Sequence, residues 1–401
     1  MINILQVVLI IIIVLCSIYI SYKIGFNNYK INKFLSVFKS SDKTGLFLSL
    51  GSKIGVGSII GTASALYIGG TGSIFWMCLF TLLTSSFHYI ESYFGNYYKK
   101  DGESGTYYIY KYGLNNKGLA IISSLLLVFT YSCAFLMIQC NTLSNILVIN
   151  TSVNIWFIFI LISLLIISIV LFSLKELLSS LNKLVPIMCL FFIIICSKVL
   201  IDNYEDIVDV VILIFRDAFN VKTFLIGSLV GIKRSIFLTE LLVGTTSISS
   251  FKNNDPKKEA IMQTFSSYFI SFVISFLTAF LIIIYNMNNS IFQGNYNILI
   301  SNVFTYHFGR TGIYILIILL LLFAVTTMIS GFYIGLSNLK HFIRHKYSIF
   351  FFKLIVVLFC MCGVFIKIDI MWVITDIMIF ILIFINFFGL FSLFRRKKYD
   401  W

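Results

Sequence analysis

Long apolar runs, separated by short polar breaks, dominate this chain. Of its 401 residues, 59% are apolar and 11% are charged, whereas a soluble domain carries about 25% charged residues. A membrane-spanning helix needs roughly 20 predominantly apolar residues, and many runs of that length are present. The sequence therefore predicts an all-α integral membrane protein that forms one transmembrane domain over residues 1–401.

The breaks divide the chain into eleven predicted transmembrane helices. The first has no basic residue before it and no small-residue cleavage site after it, so we expect it to be retained and not removed as a signal peptide. The eleven approximate ranges are 4–22, 45–67, 73–98, 118–149, 154–174, 184–202, 224–250, 261–286, 311–339, 349–367 and 370–394. Between the sixth and seventh, residues 206–220 alternate apolar and charged positions at helical spacing, which predicts an amphipathic helix on the outer face.

The distribution of basic residues predicts the orientation. If the N-terminus is outside, 24 of the 30 Lys and Arg residues fall in cytoplasmic segments, namely 23–44, 99–117, 175–183, 233–258, 340–353 and 395–401. The connections 68–72 and 150–153 carry no charge, and residues 202–217 are acidic. Because cytoplasmic loops are enriched in Lys and Arg, we predict an external N-terminus, a cytoplasmic C-terminus and a plasma-membrane location. The net charge of +14 follows from this topology, and nothing in the sequence indicates a nucleic-acid or protein partner.

Two of the predicted helices are interrupted by small and polar residues. The second contains a dense cluster from Gly51 to Gly61, and the seventh contains polar residues and glycines from Gly227 to Gly244. Four other helices lie between them, which is the pattern of two inverted five-helix repeats, each opened by a broken helix. We therefore predict an extra N-terminal helix and cytoplasmic loop (1–44), a first repeat (45–202), the external helix (203–223), a second repeat (224–394) and a basic tail (395–401).

Broken helices have a chemical consequence, because they expose main-chain N–H and carbonyl groups at mid-membrane. N–H groups at a helix start attract a carboxylate, and unwound carbonyls coordinate a small cation. The pattern thus predicts a zwitterionic ligand and a small cation. Glycine in a membrane helix also serves close packing alone, which is the alternative for each glycine taken singly.

Several stretches resemble the alanine/glycine:cation symporter family, also called the sodium:alanine symporters. Residues 55–66 (GVGSIIGTASAL) and 69–77 (GGTGSIFWM) are similar to the family's GTGNIAGVATAI and GGPGAIFWM. Further similar stretches, in the family's order, are 105–109 (GTYYI), Gln139 with Asn141, 183–188 (KLVPIM), 237–240 (FLTE), 323–327 (FAVTT) and 372–376 (WVITD) with Asn386. Glu91 also stands where the family has a Glu. The resemblance covers nearly the whole chain.

This resemblance implies a leucine-transporter type fold of ten core helices, with the N-terminal helix as the extra one. It implies uptake of alanine, glycine or a similar amino acid, driven by sodium or protons, with no enzyme activity and no cofactor other than the coupling ion. No nucleotide-binding, HExxH or GxSxG motif is present. A non-transporting membrane sensor on the same fold is the alternative.

The resemblance also implies the site residues. The cation site would combine the hydroxyls of Thr326 and Thr327 with the carbonyls of Gly51 and Ile54; the alternative is that each Thr bonds back to its own helix. The substrate site would comprise a carboxylate cradle and nearby polar side chains, namely Gly55, Gly57, Ser58, Gln139, Asn141, Thr239 and Glu240. Ser58 stands where the family has Asn. For the two amides, bonding to a neighbouring helix is an equal alternative.

Lys53 departs from many members of the resembling family, which have a small residue there, although some have a basic one. A Lys inside the membrane costs about 2.5–3.5 kcal/mol, so it should face protein or a water-filled cavity. We expect Glu240 to be its partner and hypothesise that its ammonium replaces one bound cation; a snorkelling Lys is the alternative. His88 and Glu91 are spaced to form a pair, Trp372 and Asp376 are predicted to be structural, and the eight cysteines indicate neither disulfides nor a metal site.

Overall fold

The structure, a computed structural model, describes residues 4–151, 153–289, 296–343, 345–366, 368–396 and 399. Within these ranges the chain forms helices and connections, with an isolated β-bridge between Lys100 and Glu103. Part of the predicted basic tail lies outside the described residues, namely Lys397, Lys398, Asp400 and Trp401. Residues 1–3 and Lys367, the last residue of the predicted tenth span, lie outside them too.

The helices follow the predicted order. The first half of the chain contains α1 (Ile4–Lys23), α2 (Phe34–Ser40), α3 (Thr44–Lys53), α4 (Val56–Gly69), α5 (Ser73–Tyr97), α6 (Lys117–Asn150), α7 (Ile155–Leu171) and α8 (Leu174–Asp202). The second half contains α9 (Ile207–Ala218), α10 (Phe224–Thr239), α11 (Thr245–Ser249), α12 (Pro256–Asn288), α13 (Tyr296–Phe308), α14 (Gly312–Lys340), α15 (Lys346–Gly363) and α16 (Ile368–Arg396). Helical turns at Thr106–Tyr108 and Ile109–Gly113 precede α6, and π-helical turns interrupt α6 at Thr130–Phe135 and α12 at Phe269–Ser275.

The integral membrane class is confirmed. Within the described residues, seven helices are long and apolar enough to cross a membrane, and the bent pair α3–α4 is an eighth candidate. The shorter helices α1 and α7 are apolar as well. A helix lies at each of the eleven predicted spans, but the number that cross the bilayer and the repeat relation stay predictions.

The second predicted span is broken where its glycines are densest. α3 ends at Lys53, α4 starts at Val56, and the two axes meet at 44°. Every residue of α3 except Phe47 is buried, as are the first eleven residues of α4. The break is therefore enclosed by protein on all sides, where unpaired main-chain groups cannot be satisfied by lipid and need specific partners.

The seventh predicted span is broken too, through three left-handed residues. Glu240, Leu242 and Gly244 have φ values of 53°, 57° and 107°. A bulky residue such as Leu seldom adopts a positive φ, and strain of this kind persists only where the surroundings impose it. Here the Asn386 side chain on α16 donates a hydrogen bond of 2.8 Å to the Leu242 carbonyl, and Tyr110 in turn donates to Asn386. Asn386 thus holds the unwound stretch in place.

Three details differ from the sequence prediction. α8 begins about ten residues earlier than predicted, because Ser173 and Glu176 form a capping box at its start. α13 was not predicted, since its apolar positions are interleaved with Asn, Ser and Thr; it is stabilised by packing on α14. Lys233 and Arg234 were counted in a cytoplasmic segment, but they lie within α10, so that segment contributes fewer loop charges than predicted.

Close contacts with neighbouring helices account for two glycines of α10, and hydrogen bonds hold α9 against the start of α5. A Cβ at Gly227 would lie 2.8 Å from the Gly69 carbonyl, and one at Gly231 would lie 3.0 Å from Cβ of Trp76; these two glycines serve packing. The predicted amphipathic helix forms α9 and buries Val210, Ile214 and Ala218. Its Asp217 accepts hydrogen bonds from the Gly72 amide (2.8 Å) and the Thr71 hydroxyl (3.0 Å) at the start of α5.

Candidate functional site

The first break brings Thr327 of α14 against two main-chain carbonyls. Its hydroxyl lies 3.0 Å from the Gly51 carbonyl and 3.2 Å from that of Ile54. Neither carbonyl accepts a main-chain hydrogen bond from the described residues, as is usual at the end of a helix. A Cβ at Gly55 would lie 2.6 Å from the Thr327 hydroxyl, so glycine is required for this approach. Three of the four predicted cation ligands therefore meet.

Thr326, the fourth, points elsewhere. Its hydroxyl lies 3.0 Å from the Leu322 carbonyl and 3.1 Å from that of Phe323 in its own helix, and 3.1 Å from the Met188 sulfur. This is the alternative considered for each Thr, a hydroxyl bonded back to the preceding turn. The adjacent threonines thus have different surroundings.

At the start of α4, the main-chain N–H groups are partly occupied. The Val56 amide donates to Oε1 of Gln139 at 3.1 Å, and both the amide (2.9 Å) and hydroxyl (2.7 Å) of Ser58 donate to the Gly55 carbonyl. The Gly57 amide has no acceptor among the described residues. The Gly57 amide is therefore free to donate, Gln139 lies beside it as predicted, and the Ser58 side chain is turned onto its own helix.

Two predicted substrate residues lie away from this cradle. Asn141 donates to the carbonyls of Gly363 (2.9 Å) and Ile366 (2.7 Å) at the end of α15, which is the neighbouring-helix alternative for this amide. The Thr239 hydroxyl donates to the Ser235 carbonyl at 2.8 Å within α10. Thr239 is the last residue before the second break, but its hydroxyl is turned back onto α10, and the Asn141 amide faces α15.

Glu240 links the two breaks. One of its carboxylate oxygens accepts hydrogen bonds from the Ser52 hydroxyl of α3 (3.0 Å) and the Thr245 hydroxyl of α11 (2.6 Å). Neither hydroxyl was predicted to belong to the site. The sequence feature that could have indicated Ser52 is its position next to Lys53, within the glycine-rich cluster.

Lys53 is buried but does not pair with Glu240 as expected. Its ammonium donates to the hydroxyls of Ser266 (2.8 Å) and Ser267 (3.1 Å) on α12, and no carboxylate of the described residues lies within 4.0 Å of it. The side chain runs from the end of α3 towards α12, while Glu240 already has two hydroxyl donors. At 4% exposure, Lys53 is also not a snorkelling residue.

His88 and Glu91 do not form the proposed pair. Both ring nitrogens of His88 lack a hydrogen-bond partner among the described residues. Glu91 instead accepts a hydrogen bond of 3.1 Å from the Ser247 amide in α11. A second buried carboxylate thus lies next to the unwound stretch of the seventh span.

Aromatic rings cover the cradle and form one wall of a cleft. A Cβ at Gly57 would lie 2.9 Å from the Phe237 ring, which packs against Trp372 (centroids 4.9 Å apart) and Phe135 (5.3 Å). Phe237 also lines a cleft of about 400 Å³ between α1, α10 and α16. Within that cleft Lys233 forms an ion pair of 2.5 Å with Asp376, so Asp376 has a charged partner that was not predicted.

These features define a class of protein. Two interrupted helices lie side by side within a helical membrane domain, and at their breaks are bare main-chain groups, a hydroxyl suited to a cation and buried charges. That is the architecture of a secondary membrane transporter.

The family follows from the sequence as a whole. The model of the sodium:alanine symporter family matches residues 2–399, so the chain belongs to that family. The chain is therefore a multi-pass, cation-coupled amino acid symporter, and its family is one of transporters and not of enzymes.

Named relatives differ in their substrates. The chain is 24% identical to the amino-acid carrier protein AlsT of Bacillus subtilis (strain 168) over 358 residues, covering 86% of this chain and 76% of the relative. It is 26% identical over 391 residues to the sodium/proton-dependent alanine carrier protein of Bacillus sp. (strain PS3), covering 87% and 84%. It is 23% identical over 359 residues to the probable sodium/glutamine symporter GlnT of Bacillus subtilis (strain 168), covering 86% and 74%.

Proposed function

We propose that this protein takes up a small neutral amino acid of the alanine or glycine type, driven by a sodium gradient across the plasma membrane. The proposed topology has the N-terminus outside and the C-terminus in the cytoplasm. The leucine-transporter type arrangement of two five-helix repeats is part of the proposal, supported by the two breaks lying five spans apart.

The observation that carries the proposal is the position of Thr327. Its hydroxyl lies 3.0 Å from the Gly51 carbonyl oxygen and 3.2 Å from that of Ile54, so three neutral oxygens gather at the first break. Neutral oxygens suit a monovalent cation, which must be bound and then released. Sodium would join α3 to α14 and fix the first break. Thr326 faces its own helix and is not part of this proposed site.

The substrate carboxylate is proposed to bind the start of α4. The free Gly57 amide and the positive end of the helix favour an anionic group there, and Gln139 borders the cradle through its bond to Val56. Phe237 lies directly over Gly57 and leaves little room for a substrate side chain. The buried carboxylate of Glu240 at the second break supplies a counter-charge for the substrate amine.

Lys53 is proposed to replace one bound cation with a fixed positive charge. Its ammonium is held by two serine hydroxyls on α12, so it joins α3 to α12 as an ion would join the same helices. Uptake would then need fewer sodium ions per amino acid. The proton-coupled permease is the alternative form of this proposal.

Transport assays in proteoliposomes test the proposal. Radiolabelled alanine, glycine and serine are supplied under an imposed sodium gradient or an imposed proton gradient. We expect accumulation of alanine or glycine with sodium outside, and none when sodium is equal on both sides. Accumulation under the proton gradient without sodium would support proton coupling. Specific binding without accumulation or exchange would support a membrane sensor.

A further inference from the structure

The cleft between α1, α10 and α16 contains an ion pair deep within the membrane domain. An α-helix rises about 1.5 Å per residue, so Lys233 lies about 13 Å from the start of α10 and Asp376 about 12 Å from the start of α16. Both helices begin at the outer surface in the proposed topology, and the bilayer core is about 30 Å thick, so that topology puts the pair near the middle of the core. Apart from these two side chains the lining is apolar, and Phe237 forms the wall next to the central cradle.

The pair is accessible and has spare bonding capacity. The side chains of Lys233 and Asp376 are 48% and 29% exposed, unlike the buried Lys53. An ammonium has three hydrogens to donate and a carboxylate can accept about four hydrogen bonds, yet the pair shares one contact of 2.5 Å. Charged groups at this depth are stable only when they face protein or a water-filled cavity. The cleft must therefore admit water or a polar ligand.

We propose that this cleft is a second, outer binding site for a zwitterionic amino acid with a small apolar side chain. The proposal rests on the proposed transport function. The carboxylate of the ligand binds Lys233, and the ammonium of the ligand binds Asp376. A zwitterion can therefore pair with both side chains and add no net charge to the cleft. The half-buried Arg234, which stacks on Trp372 with 4.6 Å between guanidinium and ring, adds positive charge next to this pair.

The cleft lies next to the central cradle, so an amino acid bound there could precede the one bound in the cradle during transport. Phe237 stands between the cleft and Gly57, since it lines the cleft and its ring lies 2.9 Å from the position that a Cβ of Gly57 would take. The Phe237 ring would thus separate an amino acid held by Lys233 and Asp376 from the central cradle. In the proposed topology this amino acid lies in the outer half of the membrane domain. The apolar walls favour an alanine-like side chain over a charged one. A lipid acyl chain would fit those walls but would leave the ion pair without a polar ligand.

Equilibrium binding tests this proposal. Purified full-length protein in lipid nanodiscs is titrated with radiolabelled alanine at saturating sodium, with glycine and serine as further probes. We expect two molecules bound per chain in the unmodified protein and one in either Lys233→Gln or Asp376→Asn. The retained central site in each variant shows that it has folded.

The chain offers a matched control. Lys198 and Asp202 form an ion pair of the same 2.5 Å length on the surface of α8, and Lys198→Gln should leave two molecules bound. One molecule per unmodified chain, or two in Lys233→Gln, would overturn the outer site while leaving the transport proposal intact. Reduced transport with unchanged binding numbers would instead make the pair a gate and refute the site. Failure of the unmodified protein to bind any of the three amino acids would overturn both proposals.

Discussion

Replacing Thr327 by Val removes one hydroxyl from the proposed cation site with little change in side-chain shape. A methyl group takes the place of the hydroxyl, so the substitution leaves no cavity, but the polar contact is lost. It deletes the contacts of 3.0 and 3.2 Å to the Gly51 and Ile54 carbonyls. A hydrogen bond or ligand contact to a charged group contributes about 1.5–3 kcal/mol, and about 1.4 kcal/mol corresponds to a tenfold change in affinity. We therefore expect the sodium concentration for half-maximal uptake to rise about 10- to 100-fold.

Thr326→Val is the matched control, because it removes the same group one residue away. The Thr326 hydroxyl bonds to its own helix, so sodium dependence should be unchanged. The assay is initial uptake of labelled alanine into proteoliposomes across a sodium titration, with thermal unfolding measured alongside. Equal sodium dependence in Thr327→Val and the unmodified protein would refute the assignment, as would an equal shift in both variants.

Three further substitutions address other parts of the structure. Lys53→Thr should steepen the sodium dependence of uptake, and an unchanged ion dependence would contradict the fixed-charge hypothesis. Gly57→Ala should reduce uptake at least tenfold, because its Cβ would lie 2.9 Å from the Phe237 ring, whereas Gly61→Ala, whose nearest neighbour lies at 3.8 Å, should transport normally. Restoration of uptake by Phe237→Leu in the Gly57→Ala background would confirm that cause. Asp217→Ala should cost about 1.5–3 kcal/mol of stability by removing the acceptor at the start of α5, measured as a lower melting temperature; an unchanged one would refute that role.

The sequence located the broken helices but not the direction of every side chain. Apolar length and glycine density are local properties, so the break after Lys53 could be predicted from the residues themselves. The partner of Lys53 depends on how α3 is rotated against its neighbours. Successive residues of a helix point about 100° apart, and the structure places Ser52, one residue earlier, on Glu240. The predicted contact with Glu240 was thus at the correct level along α3, but the residue that makes it is Ser52 and not Lys53.

The same limit explains Asn141 and Thr326. A polar residue in an apolar span must find a hydrogen-bond partner, and the sequence indicates that need without naming the partner. Gln139 and Asn141 are two residues apart, so they lie on different sides of α6; one meets the Val56 amide and the other the end of α15.

The charges of α10 were misassigned for a related reason. Lys233 and Arg234 resemble a loop in composition, but they lie within α10, where α16 supplies an ion pair to Lys233 and an aromatic ring to Arg234.

The two breaks differ in their electrostatic character. The first offers neutral carbonyl and hydroxyl oxygens, while the second is bordered by the carboxylates of Glu91 and Glu240. One oxygen of each carboxylate makes no hydrogen bond among the described residues, although the buried Tyr131 hydroxyl is close enough to Glu240 to interact with it. A buried acceptor left in this state costs about 1–3 kcal/mol, more when charged, and Lys53 at Ser266 supplies only part of the compensation. A positively charged group delivered to the second break would satisfy these oxygens, and the ammonium of an amino acid held by its carboxylate at Gly57 is such a group.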